Sequence, residues 1–122
     1  MIVCITGDGA WLMNGQEITV AQQHGFAVLF VVLNDGALGM VKHGQRANGA
    51  ESIGTELPSV DFAALAKAMG VRGHAIRSES ELAAFDFGSL PSRKGPTLLD
   101  VRIDGEQEPP IGLRLETVKG IL

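Results

Sequence analysis

Two short apolar segments, each ending in a small polar turn, constrain the fold of this chain more than any other feature of its sequence. Residues 1–6 and 27–33 are rich in Val, Ile and Leu, and the turns that follow them are Gly-Asp-Gly at 7–9 and Asn-Asp-Gly at 34–36. Short apolar segments that stop abruptly at Gly and Asp are typical of strands buried within a parallel sheet. We therefore predict two buried strands at these positions.

The segment between the two strands predicts that they run parallel. Residues 11–24 have helical character, with an expected interruption near the start at Asn14-Gly15, and Gly25 supplies a stop signal. A strand, a helix and a second strand joined by a crossover connection give two parallel strands, whose carboxyl ends share one edge of the sheet. Ligands of open α/β sheets bind at that edge. Asp8 and Asp35 should therefore converge there, where two carboxylates beside glycines would suit a hard divalent cation that holds a phosphate.

Composition places the chain among globular proteins of one domain. Its 122 residues are 45% hydrophobic and 20% charged, which is enough for a core and argues against disorder. Ten basic and fourteen acidic residues give a net charge of −4, with no basic stripe, so nucleic acid is not an expected partner. Cys4 is the one cysteine and excludes a disulfide within the chain; it is expected to be a small buried side chain.

The chain shows no targeting or membrane signal. No basic segment precedes the first apolar run, and no apolar run reaches the length of a membrane span. We therefore expect a cytoplasmic protein without membrane contact. Because a core strand opens the sequence directly, we also expect residues 1–122 to be one domain of a longer chain.

The remaining elements are predicted from turn residues and periodicity. A short helix should begin within 38–42, and residues 44–59 predict a long exposed loop that is either mobile over a ligand or merely flexible. Ser59 is the expected N-cap of a helix over 60–69, which Gly70 ends. The following segments are a strand over 71–76, a short helix capped by Ser78, a surface loop over 91–94, a strand over 97–103, and a tail over 106–122.

Four further residues are candidates for a functional role. A structural role is preferred for three of them, and the partner of the fourth is not identified. Trp11 is expected in the core or an interface rather than lining a ligand pocket. Glu17 could be catalytic, but a residue on a helix face is the simpler interpretation. His74 has no metal-ligand spacing around it and is predicted to be structural. Asp100 interrupts an apolar strand and needs a partner that the sequence does not identify.

Several common site motifs are missing from the sequence. It has no Walker P-loop, no Cys-x-x-Cys pair, no Gly-x-Ser-x-Gly elbow and no Gly-x-Gly-x-x-Gly fingerprint. The usual dinucleotide and serine-hydrolase interpretations therefore find no support.

The two turns together resemble a known family pattern. Gly-Asp-Gly at 7–9, then 24 residues, then Asn34-Asp35 is similar to the motif of thiamine-diphosphate-dependent enzymes. The flanking sequences GDGAWLMNGQEI and VVLNDGALGMV resemble the acetolactate synthase branch of that family. The resemblance implies a three-layer, Rossmann-like α/β fold with a mostly parallel sheet, in which residues 1–122 form the C-terminal, diphosphate-binding domain.

The resemblance also implies a binding site for thiamine diphosphate and Mg²⁺. The metal ligands would be the carboxylates of Asp8 and Asp35 and the carbonyl oxygen of Ala37, and backbone N–H groups near both turns would hold the diphosphate. The implied cofactor-binding residues are Asp8, Gly9, Ala10, Asp35, Ala37, Leu38, Gly39 and Met40. A second carboxylate at Asp35 replaces the asparagine usual in the family, which should favour tighter metal binding. No catalytic residue is expected in this chain.

The implied activity belongs to a larger assembly. The parent enzyme would make or break carbon–carbon bonds of 2-oxo acids, and a separate pyrimidine-binding domain, in the parent chain or a partner subunit, would activate the cofactor. This domain alone would then be inactive, and its uncovered apolar surface predicts a homo-oligomer. Two positions depart from relatives: Gly44 stands where acetohydroxyacid synthases carry tryptophan, and Val41 where pyruvate decarboxylases carry glutamate.

Three other functions are open at this point. The parent could be a 2-oxo acid decarboxylase or aldehyde lyase of the same superfamily. The domain could instead be a non-catalytic, Rossmann-like nucleotide-binding module, or a scaffold that has lost its ligand.

Overall fold

The structure is a computed structural model, and it describes residues 1–108. The predicted tail, including Pro109 and Pro110, lies outside these residues from position 109 onward. The elements in chain order are β1 (Ile2–Gly7), α1 (Asp8–Asn14), a 3₁₀ turn (Gly15–Glu17), α2 (Ile18–His24), β2 (Val28–Asn34), α3 (Gly39–Ala47), α4 (Phe62–Ala68), β3 (Arg72–Ile76), α5 (Glu79–Ala84), a second 3₁₀ turn (Leu90–Ser92) and β4 (Thr97–Arg102).

The four strands form one sheet in the order β1-β2-β4-β3, and every pairing is parallel. The predicted parallel pairing of the first two strands is confirmed, with Gly7 opposite Leu33 at their carboxyl ends. Both polar turns therefore begin at the carboxyl ends of adjacent strands, at the same end of the sheet. Across residues 1–108, none of the helices has the length and apolar character needed to cross a bilayer.

Side chains alternate along β2 between two separate cores, as the two-residue period of a strand requires. Phe30 and Val32 face a cluster formed mainly with α1, α2 and α4, whose buried members include Trp11, Ile18, Phe62 and Leu98. Leu29 and Val31 face a second cluster, which includes Ile76, Phe85, Leu90 and Leu99. The sheet therefore lies between two layers, and the predicted α/β class is confirmed.

The prediction that the first strand is buried is wrong. β1 lies at an edge of the sheet, and Ile2, Val3 and Ile5 are each at least half exposed. Cys4 is half-buried rather than buried. The reason is that strand side chains project from the two faces of the sheet, and within residues 1–108 β1 has appreciable contacts with β2 and α1 alone, so most of its side chains lack a covering layer.

The helix predicted over 11–24 is broken in the middle. α1 and α2 are separated by a 3₁₀ turn at Gly15, where a β-carbon would lie 2.4 Å from the indole ring of Trp11. Trp11 itself is buried and packs edge-to-face on Phe30, with ring centroids 5.6 Å apart, so its predicted core position is confirmed. Glycine at this break allows the indole to fold back against the helix.

The loop predicted over 44–59 is shorter and better anchored than expected. α3 continues to Ala47, and the later part of the loop is bonded to the second polar turn. The N–H of Leu38 donates to the carbonyl of Thr55 at 2.7 Å, and the N–H of Leu57 donates to that of Gly36 at 2.9 Å. Charged and amide side chains in α3 hid the helix from a search for apolar periodicity.

The predicted N-cap at Ser59 is also wrong. Asp61 caps α4 instead, since its carboxylate accepts a hydrogen bond from the N–H of Ala64 at 2.8 Å. Ser78 caps α5 as predicted, and Gly25 and Gly70 follow helices in the left-handed conformation that glycine favours.

His74 provides a prediction about stability and pH. The ring is half-buried against Phe85 at 5.2 Å, and burial, together with the nearby charges of Lys67, Arg93 and Arg72, lowers its pKa. The unfolded chain then binds more protons than the folded chain as pH falls through the ordinary histidine pKa of about 6.5, so folding stability decreases in that direction.

We therefore expect His74→Phe to lose less stability than the wild type between pH 7.5 and pH 5.5 in urea unfolding experiments. The matched control is Phe26→Leu, which changes an exposed aromatic side chain and leaves His74 in place, so its loss of stability between the two pH values should equal that of the wild type. Equal losses in the His74→Phe and wild-type proteins would contradict the assignment.

Candidate functional site

Asp8 joins the two polar turns. It is the first residue of α1, is only 4% exposed, and accepts two backbone hydrogen bonds. The N–H of Gly9 donates to Oδ1, and the N–H of Gly36, in the second turn, donates to Oδ2, both at 2.8 Å. The carboxylate is therefore fixed at the carboxyl ends of β1 and β2, where the sequence predicted it.

Asp35 lies beside Asp8 and is approached closely by two glycines. Its Oδ1 accepts a hydrogen bond from the N–H of Ala37 at 3.1 Å. A β-carbon on Gly39 would lie 2.7 Å from Oδ2, and one on Gly105 would lie 3.2 Å from the Asp35 β-carbon. Glycine at both positions keeps room around this carboxylate.

The charge of Asp35 opposes the ionisation of Asp8. Burial raises the pKa of Asp8, and the negative charge of Asp35 and a side-chain hydrogen bond with it raise it further, whereas the hydrogen bonds from Gly36 and Gly9 lower it. A cation placed between the carboxylates would remove this repulsion.

The atoms of Asp8, Asp35 and Ala37 that could bind a metal ion are oxygens. Within residues 1–108, no group of three His, Cys, Asp or Glu side chains is arranged to hold a metal ion, so side chains supply two ligands at most here. Two carboxylates and a backbone carbonyl form a hard oxygen set, and Mg²⁺ commonly takes its remaining ligands from water and phosphate. The residues present therefore fit Mg²⁺ in the presence of a phosphate ligand.

A cavity of about 370 Å³ opens over these carboxylates. It is lined by all eight predicted cofactor-binding residues: Asp8, Gly9, Ala10, Asp35, Ala37, Leu38, Gly39 and Met40. A β-carbon on Gly9 would approach the side chain of Leu38 at 2.7 Å, so glycine keeps the cavity open at the start of α1. The structure thus brings the whole predicted set to one place.

The backbone donors of this set are not equally available. The N–H of Gly9 is bonded to Asp8, and the N–H of Leu38 is bonded to Thr55. Gly39 and Met40 are the first two residues of α3, where N–H groups have no partner inside the helix. These two N–H groups, directed by the helix start, are the donors best suited to an anion.

The cavity includes residues that the sequence analysis did not identify. His43, Ile103, Asp104 and Gln107 line it, and three of these follow β4. The parallel sheet explains their position, because β4 pairs with β2 and ends at the same edge. Glu17, considered as a catalytic candidate, is exposed and is not part of the cavity lining.

The partner of Asp100 is the first residue of the Asn-Asp turn. Asn34 Nδ2 donates to Asp100 Oδ1 at 2.9 Å, and the N–H of Phe62 donates to Oδ2 at 3.2 Å. Arg102 donates to Asn34 Oδ1 at 3.0 Å. Asn34 therefore fixes the end of β2 to β4, and its neighbour Asp35 is left to face the cavity.

A clamp holds α3 to the segment after β4; we define it as Lys42, His43 and Arg46 with Gly105 and Glu106. Lys42 Nζ and Arg46 Nη1 each donate to the Glu106 carboxylate at 2.6 Å. His43 Nε2 bonds to the carbonyl of Gly105 at 3.1 Å, which defines it as the protonated nitrogen. These contacts span about sixty positions, so no local pattern could have predicted them.

If the clamp stabilises α3, the Glu106→Gln variant should show more frequent local opening of that helix. The two hydrogen-bonded cations lower the pKa of Glu106 to about 2, so the pairs persist throughout the neutral range. We expect amide hydrogen exchange in α3 to become about threefold faster in the variant, because Glu106 is 63% exposed, which keeps both pairs modest in strength although Lys42 is buried. Glu108→Gln is the control, and equal exchange in both variants would contradict a role for the clamp.

Comparisons with known proteins agree with this geometry. The family model described as "Thiamine pyrophosphate enzyme, C-terminal TPP binding domain" matches residues 1–101. Acetolactate synthase isozyme 3 large subunit of Escherichia coli K12 is 38% identical over 112 residues, which cover 87% of this chain and 19% of that protein. An acetolactate synthase of Arthrospira platensis is 33% identical over 110 residues, covering 88% and 19%.

Solved structures of other enzymes also resemble this chain. Benzoylformate decarboxylase from Polynucleobacter necessarius superposes with a TM-score of 0.78 at 27% identity, over 88% of this chain and 20% of that one. The chain spans about a fifth of the length of the curated relatives it matches.

Proposed function

Because the chain belongs to the thiamine pyrophosphate enzyme family, as its C-terminal cofactor-binding domain, we propose that it anchors the diphosphate of thiamine diphosphate through Mg²⁺. The observation that carries the proposal is the hydrogen bond from the N–H of Gly36 to the carboxylate of Asp8. It joins the two turns of the family motif at the mouth of one cavity.

Each part of the site has a role in this proposal. Asp8, Asp35 and the carbonyl of Ala37 would hold Mg²⁺, and the N–H groups of Gly39 and Met40 would hold the diphosphate. One Mg²⁺ between the carboxylate pair and the diphosphate would reduce the repulsion that otherwise acts between these negative groups. When bound, the cofactor supplies the electron sink for chemistry next to a carbonyl group. The chain's own contribution is anchoring and charge neutralisation.

The activity of the whole protein is part of the proposal, since the matched relatives are about five times longer. Its relatives include acetolactate synthases, so the parent enzyme would join or cleave carbon–carbon bonds of 2-oxo acids. A pyrimidine-binding domain in the parent or a partner subunit would complete the site, and this chain alone would be inactive. A cytoplasmic homo-oligomer, without nucleic-acid or membrane contact, is the expected setting.

A 2-oxo acid decarboxylase is the second candidate for the parent. It is favoured by the structural neighbours, which include benzoylformate decarboxylase and a 4-hydroxybenzoylformate decarboxylase from Rhodococcus jostii RHA1. Product analysis with a 2-oxo acid would separate the candidates, since a decarboxylase releases an aldehyde and a synthase releases the joined product. An aldehyde lyase would be identified by a second assay, in which the joined compound is supplied and the release of aldehyde is measured.

Thermal unfolding tests the binding proposal directly. We would measure Tm with Mg²⁺ alone, with thiamine diphosphate alone, with both, and with Mg²⁺ and ADP. A stabilisation that requires both metal and thiamine diphosphate supports the proposal, because only ligands that bind the native state raise stability. An equal response to ADP would favour a general nucleotide-binding module, and no response to any combination would count against a diphosphate site in this chain.

A further inference from the structure

A second cavity lies at the opposite end of the sheet from the candidate cofactor site. It has a volume of about 460 Å³ and is lined by four basic side chains, Lys67, Arg72, His74 and Arg93. Arg72 is the first residue of β3, so the cavity lies at the amino end of a strand, whereas Asp8 and Asp35 lie at carboxyl ends. The two cavities share no lining residue.

The basic side chains come from separate parts of the chain, and few acidic side chains lie close enough to pair with them. Lys67 belongs to the last turn of α4, and Arg93 follows the second 3₁₀ turn. Within residues 1–108, the one ion pair formed by this group joins Arg93 to Asp86 at 3.9 Å, the outer limit for such a pair. A concentration of positive charge is unexpected in a chain of net charge −4.

The guanidinium of Arg72 is already held in place. Its Nη2 donates to the carbonyls of Lys94 and Gly95 at 2.9 and 3.3 Å, and its Nε donates to the hydroxyl of Thr97 at 3.4 Å. No bond to Nη1 is formed within residues 1–108. A pinned guanidinium loses little conformational freedom on binding an oxyanion, which it matches in shape and charge.

His74 lacks a hydrogen-bond partner at the same cavity. Its Nε2 is buried and forms no hydrogen bond with any described residue, although buried polar atoms are almost always paired. Burial, and after it the surrounding charges of Lys67, Arg93 and Arg72, lower the pKa of the ring. A negative group in the cavity would oppose the effect of these charges and raise that pKa.

We propose that Lys67, Arg72 and Arg93 form a second binding site, selective for a small multivalent oxyanion of the phosphate type. Three cations around one cavity exceed what a single carboxylate requires, and a tetrahedral oxyanion can bond to several of them at once. The proposal does not depend on Mg²⁺ or thiamine diphosphate, so it can fail or succeed independently of the proposed function.

Histidine NMR tests the site. The chain has three histidines, and the His74 signal is assigned by its loss in His74→Gln. Inorganic phosphate is added in the presence of EDTA, with KCl adjusted to keep the ionic strength constant. We expect the His74 signal to shift and saturate in the millimolar range, and the pKa of the ring to rise, while the signals of His24 and His43 stay in place.

Two charge-removing variants and one control locate the ligand. Lys67→Gln and Arg93→Gln should each weaken phosphate binding about tenfold, the loss typical of one hydrogen bond to a charged group. Lys94→Gln is the control, because Lys94 is exposed and does not line the cavity. Arg72 is left unchanged, since it also holds the backbone at Lys94 and Gly95.

Two results would overturn the proposal. The first is a His74 shift that grows linearly with phosphate and never saturates. The second is unchanged phosphate affinity in the Lys67→Gln, Arg93→Gln double variant. Unaltered signals of His24 and His43 verify that each variant is folded.

Discussion

The Asp8→Asn variant is expected to show no stabilisation by Mg²⁺ and thiamine diphosphate together. At ligand concentrations of about one hundred times Kd the wild type should gain about 2.7 kcal/mol, or roughly 10 °C in Tm for a domain of this size. The amide removes one of the two charges that face the metal. It also turns an NH₂ group toward one of the backbone donors, Gly9 or Gly36, that the carboxylate now accepts.

Two further variants make this result specific. Asp104→Asn changes an exposed carboxylate that lines the same cavity, and its one hydrogen bond within residues 1–108 comes from the nearby N–H of Glu106. Asp35→Asn keeps an oxygen for the N–H of Ala37 and restores the Asp/Asn pair usual in the family. Both should retain most of the response. A full response in Asp8→Asn would refute the metal-binding role of this residue.

Asp100→Ala should lower the free energy of unfolding by about 3 kcal/mol. Asp100 is fully buried in β4, and its carboxylate accepts bonds from Asn34 Nδ2 and the N–H of Phe62. Removing it leaves two buried donors without an acceptor, at about 1–3 kcal/mol each. Urea unfolding with an unchanged m-value measures the difference.

The ion pair of Asp100 should contribute much less than its buried hydrogen bonds. Arg77 Nη2 lies 3.4 Å from Asp100 Oδ2, but the arginine side chain is 39% exposed. Arg77→Met should therefore cost about 1 kcal/mol, less than Asp100→Ala, because the arginine is partly exposed and the buried carboxylate keeps its hydrogen bonds from Asn34 and Phe62. If the two variants were equally destabilised, the charge rather than the hydrogen-bond network would hold this part of the sheet.

The site was more predictable from the sequence than its surroundings. Both polar turns follow apolar strands, and parallel pairing alone brings Asp8 and Asp35 together, so their convergence could be inferred without coordinates. The resemblance added the neighbours Ala37, Gly39 and Met40, which line the same cavity. Their specific roles toward metal and cofactor remain predictions that the variants above test.

Features that depend on distant contacts could not be inferred. The partner of Asp100 is Asn34, 66 positions earlier, and Glu106 pairs with Lys42 across 64 positions. The edge position of β1 was missed because an apolar strand has the same sequence whether one or both of its sides are paired. The N-cap of α4 was misplaced because Ser59, two residues before the actual cap Asp61, is an equally good capping residue.

The strand order has a consequence for how the chain folds. β4 lies between β2 and β3, although it is the last of the strands described in residues 1–108. Until residues 97–102 arrive, β2 and β3 have no strand between them, and neither core can close. During synthesis the facing edges of β2 and β3 therefore stay unpaired until β4 is made. Folding should consequently be slow and limited by the late, non-local insertion of β4. Removing β4 would leave two unconnected halves rather than a smaller sheet.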